Sequence, residues 1–236
     1  MKQIKSLSIV FPAYNDEHSI GKLITDAYSV GATITNSFEV IVVNDGSKDG
    51  TNKKLLAIKK KFPSLKIVTH KNNRGYGGAL QSGFKKAVKD WIFYTDGDGQ
   101  YDLKDLPKLV RSVGLNIDVV NGFKKIRRDS FIRIAAGNMY NRVLQLFFNL
   151  PISDVDCDFR LIRRKCLGNI RLKATTGVFP LELVLKLKKS GARFKEVSVN
   201  HYARPHGRSQ FFRFSVLVAT TIGFVILLIQ ILLDIL

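Results

Sequence analysis

The sequence predicts an α/β fold, a parallel sheet covered by helices, with one transmembrane helix at its C-terminal end. Three observations lead there. Residues 7–123 alternate short β-rich runs with helical patterns, as βαβ units do. Each β-rich run is continuously apolar, as strands covered on both faces are. Finally, Phe214–Leu233 is a run of twenty residues without a formal charge, about 30 Å of helix and one hydrocarbon thickness.

Taken in chain order, strands are expected at Leu7–Phe11, Glu39–Val43, Lys66–Thr69, Trp91–Thr95 and Val119–Gly122. Helices are expected between them, at about Ile20–Val30, Thr51–Phe62, Gly78–Lys89 and Leu106–Val113. Polar clusters stand at the carboxyl ends of three strands: PAYND after the first, NDGSKDG after the second, DGDGQ after the fourth. In open α/β sheets that edge is where ligands collect. From Lys124 the character changes. KKIRRD reads as a basic loop, and Phe131–Phe148 as an amphipathic helix with an apolar second half, ended by Pro151. A helix at Pro180–Ser190 and a strand at Arg193–Val199 follow. The expected division is a catalytic domain over 1–200, a basic juxtamembrane segment over 201–213 and a membrane span over 214–233. Met1–Ser6 leads into a strand rather than a signal peptide. Arg204, Arg208 and Arg213 precede the span and Asp234 follows it, so the positive-inside rule puts residues 1–213 on the cytoplasmic face of a single-pass membrane protein.

Composition narrows the function classes. The chain has 236 residues, 38 basic against 19 acidic, for a net charge of +19, yet 45% of it is hydrophobic. That apolar share excludes wholesale disorder. Two cysteines cannot make a disulfide scaffold, and Cys157 and Cys166 lack zinc-site spacing, so both are expected as reduced, buried thiols. The charge suggests nucleic acid or an anionic lipid surface. The basic residues are spread over many elements and no RRM, KH or zinc-finger pattern occurs, which favours membrane lipids as partners and no nucleic acid.

The chemistry lies at the strand ends. Asp96-Gly97-Asp98, trailed by Gln100, places two carboxylates at i and i+2 on a turn with an amide oxygen as a third ligand. Such a set suits Mg²⁺ or Mn²⁺, which keep positions for water and phosphate oxygens. An EF-hand calcium loop fails, because Tyr101 stands at its glycine position and Pro107 at its final glutamate. An ordinary acidic turn is the bland alternative. Asp45 stands at a strand tip, where a base or ribose would lie, whereas Ser47–Thr51 reads as helix capping. Asp16 could cap the first helix, and Pro12 and Tyr14 could wall a base. Gly75, Gly77 and Gly78 match neither a P-loop nor a dinucleotide fingerprint.

In order, VFPAYND, VVNDGSKDGT, NRGYGGAL, TDGDGQYD, NGFKKIRRDS, DVDCDFRLIRR and RPHGRSQFF resemble the family-2 glycosyltransferases. The closest likeness is to their dolichyl- and polyprenyl-phosphate sugar synthases, the dolichol-phosphate mannose synthase branch, over about Ile9–Phe212. The resemblance implies a GT-A fold, a nucleotide-diphosphate-sugar donor (GDP- or UDP-linked), a divalent cation and a polyprenyl or dolichyl phosphate acceptor. It assigns Pro12, Ala13, Tyr14, Asp16, Val43, Asp45, Asp96 and Gly97 to the nucleotide sugar, as it does Lys124 and Arg204, near the donor diphosphate or the acceptor phosphate, and Asp96, Asp98 and Gln100 to the metal. Asp98 and Asp156 are the implied catalytic carboxylates, with Asp154 an alternative to Asp156 on the acceptor side. Arg128, Arg133, Arg208 and Ser209 would meet the acceptor phosphate. The chain departs from the pattern at Asp16 (usually Glu), at Asn44 (usually Asp) and at Lys124 (usually Arg), which gives up the planar fork arginine offers to phosphate. The implied reaction inverts the anomeric carbon, with a lipid phosphate attacking as the nucleotide diphosphate leaves. The rival acceptor is a glycolipid or polysaccharide hydroxyl, for which Asp156 or Asp158 could supply the base. Other rivals are a non-enzymatic basic binding module and an inactive relative, and a homo-oligomer is left open.

Overall fold

A computed structural model describes residues 4–126, 142, 144–204 and 214–233. Its centre is a seven-stranded sheet of order β3-β2-β1-β4-β6-β5-β7. The strands are β1 (Leu7–Ala13), β2 (Phe38–Asn44), β3 (Lys66–Thr69), β4 (Trp91–Thr95), β5 (Val119–Ile126), β6 (Phe159–Arg163) and β7 (Phe194–Asn200). The helices are α1 (Ile20–Ile34), α2 (Thr51–Lys61), α3 (Gly75–Lys86), α4 (Leu106–Arg111), α5 (Arg164–Gly168), α6 (Phe179–Lys189) and α7 (Phe214–Leu232).

Strands β1 to β4 are parallel to one another where they pair, in register from Leu7 opposite Phe38 and Trp91. Alternation along β1 explains why both faces are covered. Leu7, Ile9 and Phe11 enter the core under α1 and α4, with Val40, Val42 and Phe93, whereas Val10 points to the opposite core with Ile41, Leu80, Tyr94 and Phe179. Helix α3 approaches especially closely. A Cβ on Gly83 would stand 2.4 Å from Val10 Cγ1, so only glycine lets the helix lie this near β1.

Two elements differ from expectation. The sheet is mixed, because β6 runs antiparallel between β4 and β5. FRLIR carries two arginines in five residues and lacks the flanking glycine cluster that marks the parallel strand tips. Helix α3 begins at Gly75, before the expected Gly78, because Gly75 takes a positive φ of 80° and starts the turn itself. The helix expected over Phe131–Phe148 lies largely outside the described residues, of which 144–148 are helical. Cys157 and Cys166 are free and buried.

The expected membrane span is overturned, and the single-pass topology with it. Among the described residues no helix is long and apolar enough to cross a membrane. One side of α7 packs on the domain, while Ile222, Val225, Ile226 and Ile229 are exposed. Leu227 is 3% exposed in a cluster with Leu144, Val178, Leu181 and Val184, joined by Phe224 and Ile231. Gly223 lets the helix approach Val178, which would lie 3.5 Å from an added Cβ. Composition alone does not separate a helix that docks one face on its own domain from one ringed by lipid.

Candidate active site

The tips of β1, β2 and β4 meet in one crevice, and the chain ties them together with short polar contacts. After β1, the Tyr14 amide donates to Asp16 Oδ2 (2.9 Å) and the Asp16 amide to Thr51 Oγ1 (2.9 Å). Asn15, with φ at 58°, receives the Lys48 amide on Oδ1 (2.8 Å) and donates its own amide to Ser47 Oγ (3.0 Å). Glu17 Oε2 accepts the Gly50 amide at 2.8 Å. The SKDGT turn therefore builds the floor under the first loop, in addition to starting α2.

The acidic turn after β4 is pressed against the same loop. A Cβ on Gly97 would stand 2.5 Å from Pro12 O and 3.1 Å from Asp16 Oδ2. Ser19 donates to Gly97 O at 2.7 Å, which fixes the start of α1 against the turn. Pro12 and Ala13 are buried beside it, and Tyr14 is half-buried. Asp98 Oδ1 accepts the Gln100 amide (3.0 Å), while Oδ2 accepts from the Arg204 guanidinium (2.7 Å). Arg204 arrives there because the segment after β7 zips onto the turn. The Tyr202 amide donates to Gln100 O (2.8 Å), and Gln100 Nε2 donates to Tyr202 O (3.1 Å).

Burial and crowding push these carboxyls upward. Asp16 rises to about 6, first through desolvation, with Asp98 adding to it and the Tyr14 amide and Arg204 opposing. Asp96 stands well above the usual carboxylate range through desolvation and its neighbours Asp158 and Asp98. Asp158 rises to about 7, again mainly by desolvation, partly offset by Arg160. The Tyr76 hydroxyl faces both Asp96 and Asp158. The β4 tip thus gathers carboxyls that hold their protons above the ordinary range and ionise at a cost the surrounding side chains do not offset.

The loop between 154 and 158 hangs from a buried arginine. Arg160, fully buried, donates from Nε to Asn121 Oδ1 (2.6 Å), from one terminal nitrogen to the Tyr94 hydroxyl (2.7 Å) and from the other to Val155 O (3.0 Å). Lys124 Nζ lies 3.5 Å from Asp154 Oδ1 and donates to Asp156 O at 3.0 Å. Asp154 is buried, whereas the Asp156 side chain is exposed.

Of the residues picked from the sequence, Asp16, Asp96, Gly97, Asp98 and Arg204 share one crevice with Pro12, Ala13 and Tyr14. Asp45 stands at the β2 tip, following Asn44 and the buried Val43. Gln100 turns its amide nitrogen toward Tyr202. Lys124 reaches the 154–156 loop. Arg128, Arg133, Arg208 and Ser209 lie outside the described residues, as do Phe211 and Phe212. Tyr76 and Arg160 escaped notice in the sequence. A tyrosine between glycines and a basic residue inside an apolar strand were the signals available.

The sequence profile for glycosyl transferase family 2 matches residues 8–171. The chain belongs to glycosyl transferase family 2. Among its relatives are undecaprenyl-phosphate 4-deoxy-4-formamido-L-arabinose transferases. That of Aeromonas hydrophila subsp. hydrophila is 29% identical over 210 residues, covering 88% of this chain and 63% of that protein. That of Yersinia pestis (strain Pestoides F) is 30% identical with the same coverage. The chain thus spans a little under two thirds of the length of these curated relatives. They relate it to polyprenyl-phosphate sugar transferases without singling out the dolichol-phosphate mannose synthase branch. The crystal structure of glucosyl-3-phosphoglycerate synthase from Mycobacterium tuberculosis with Mn²⁺, UDP and glucosyl-3-phosphoglycerate matches with a TM-score of 0.67 at 19% identity, over 86% of this chain and 73% of that one. The same enzyme with Mn²⁺ and UDP-glucose matches with a TM-score of 0.66 at 20% identity, over 87% and 73%. These likenesses bear out the GT-A fold.

Proposed function

We propose that the chain transfers a hexosyl group from a nucleotide-diphosphate sugar, held across the β1, β2 and β4 tips, to an acceptor lying over the 154–158 loop. The observation that carries this reading is the convergence of Asp16, Asp96, Asp98 and Asp158 at the β4 tip, on a family-2 scaffold. Carboxyls raised by their own crowding are a place where a hard cation gains most. Among the described residues no group of three or more acidic, histidine or cysteine side chains has metal-binding geometry. The fit therefore rests on Asp96 and Asp98, with the remaining positions left to water and phosphate oxygens. They would hold Mg²⁺ or Mn²⁺, the latter being the ion bound by the solved neighbours. The cation supplies neutralisation of the departing diphosphate. Arg204 adds a permanent positive charge at the same point, and Pro12, Ala13 and Tyr14 wall the nucleotide.

The acceptor has two readings. A polyprenyl phosphate follows from the relatives' names and would be met by Lys124, Arg204 and the arginines beyond them. Such an acceptor is already anionic and needs no base. A hydroxyl on a glycolipid or saccharide does need one, and here the described residues give more support. Asp158, raised to about 7 and partly enclosed, is placed to take a proton near neutral pH. It shares a loop with Asp156, which supports an acceptor-side role. The purified chain with labelled UDP- and GDP-hexoses, Mn²⁺, and either polyprenyl phosphate or a glycolipid acceptor tests both. A product cleaved by mild acid at an anomeric phosphate supports the lipid phosphate. An acid-stable glycoside whose formation fails in Asp158→Asn supports the hydroxyl. No transfer from any donor overturns the proposal.

A further inference from the structure

The β2 tip holds a buried relay that none of the motifs above accounts for. His70 follows β3 directly and is 5% exposed. Its Nδ1 lies 2.5 Å from Asp45 Oδ1 and its Nε2 2.9 Å from Ser82 Oγ. The same Asp45 oxygen accepts the Arg74 amide at 2.9 Å. Among the described residues Asp45 Oδ2 accepts no hydrogen bond. The arrangement is prepared from three directions. The Asp45 amide donates to Ala13 O at the end of β1, and the His70 amide to Asn44 O at the end of β2. Gly46, with φ at 71°, lets the loop after β3 close down, since an added Cβ would meet Asn73 N at 2.8 Å. The close seat of Gly83 on Val10 brings Ser82 of α3 within reach of the imidazole.

Asp, His and Ser in hydrogen-bonded series also make hydrolytic triads. Here the serine lies half-buried on α3, and the carboxylate, 3% exposed, stands at the strand tips, the edge where ligands of open α/β sheets lie. The series therefore aims the carboxylate rather than activating the serine.

We propose that His70, braced by Ser82, is a positioning residue for the nucleotide base. By occupying Asp45 Oδ1 it fixes the carboxylate so that Oδ2 is presented as an acceptor to a base carrying an N–H on its pairing edge. Uracil and guanine have such an N–H. Cytosine and adenine present a ring nitrogen lone pair at the equivalent position, which a carboxylate repels. The inference rests on the donor reading given above and goes further, in naming the class of base and the side chains that select it.

Calorimetric titration of the purified chain with UDP, GDP, ADP, CDP and inorganic diphosphate, each with Mn²⁺, tests it. Expected for the wild type is affinity for UDP or GDP at least ~10-fold above that for ADP and CDP. In His70→Leu that affinity falls by roughly 10-fold, the scale of one charge-assisted hydrogen bond, while inorganic diphosphate binds as before. His70→Asn, whose amide can stand in for Nδ1–H, recovers most of the loss. A purely structural role for His70 would weaken diphosphate and nucleotide alike and would not be rescued by asparagine. Should His70→Leu not fold, Ser82→Ala carries the test, with a loss of about 3-fold for UDP or GDP and none for diphosphate. Unchanged UDP and GDP affinity in a folded variant, or equal binding of all four nucleotides by the wild type, overturns the inference and leaves the donor reading standing. A wild type that binds no nucleotide overturns the donor reading itself.

Discussion

At the β2 tip the Asp45 carboxylate receives an imidazole and a backbone amide on one oxygen and is held by groups that are themselves braced. At the β4 tip, a short distance along the same sheet edge, Asp96 and Asp158 crowd each other in a desolvated corner, with the Tyr76 hydroxyl between them. The two regions use the same side chain for opposite ends. A satisfied carboxylate is a rigid recognition element, since its geometry is set before any ligand arrives. An unsatisfied group of carboxyls is a store of unfavourable charge that a cation relieves, and this makes ligand binding rather than folding the event that completes the site.

Removing the one cation built into the crowded region breaks that contrast most severely. Arg160 lowers the Asp158 carboxyl and satisfies Asn121, Tyr94 and Val155 O. Arg160→Met is expected to lose about 3 kcal/mol or more of unfolding free energy, because the Asp158 carboxyl and three polar groups lose their partner together. Urea unfolding measures it. A loss under ~0.5 kcal/mol would mean that Arg160 balances nothing in this corner.

Next in size is Asp98→Asn. It removes one of the two carboxylates assigned to the cation and leaves Arg204 without its 2.7 Å partner. Transfer is expected to fall about 100-fold or more, the scale seen for a lost charge-stabilising group, with circular dichroism unchanged. The matching change at the other end, His70→Leu, acts on nucleotide affinity and spares binding of diphosphate. Equal kinetic profiles for the two variants would dissolve the distinction between the regions.

What the sequence made legible follows the same division. The tips of β1, β2 and β4 announce themselves, because an apolar run stops abruptly in aspartates and glycines. Gly97 and Gly46 stand where no side chain fits. Partners that join through the third dimension leave no local trace. His70 and Ser82 belong to different elements from Asp45, and Arg160 sits inside β6, a strand whose antiparallel course hid it. Helix α7 shows the converse failure. Its run of uncharged residues reads as lipid-facing, yet Leu227 is buried against α6 and its neighbours, and hydropathy records only that a side chain avoids water, not what replaces it.

The smallest expected effect is also the most direct reading of stored charge. Asp16 and Asp158 have folded values of about 6 and about 7 against an ordinary 3.8. For carboxyls raised in this way the folded state holds its protons longer than the unfolded state does. Their favourable contribution is complete below pH 4 and is lost as pH rises through 6 and 7. The melting temperature of the metal-free chain is therefore expected to fall by several degrees between pH 5 and pH 8. Glu39 and Asp49 do not blur this window. Desolvation raises them, but they are held below the usual carboxylate range by Lys66 and Ser8 in one case and Thr51 in the other, so their titration lies on the acid side of this window. Protons and a divalent cation compete for the same oxygens, so Mn²⁺ should raise the melting temperature more at pH 8 than at pH 5. Asp158→Asn, which removes the larger of the two shifts, should flatten the profile. A melting temperature that is level or rising from pH 5 to pH 8 would place the crowded carboxyls among the satisfied ones, and the β4 tip would then be no different in kind from the β2 tip.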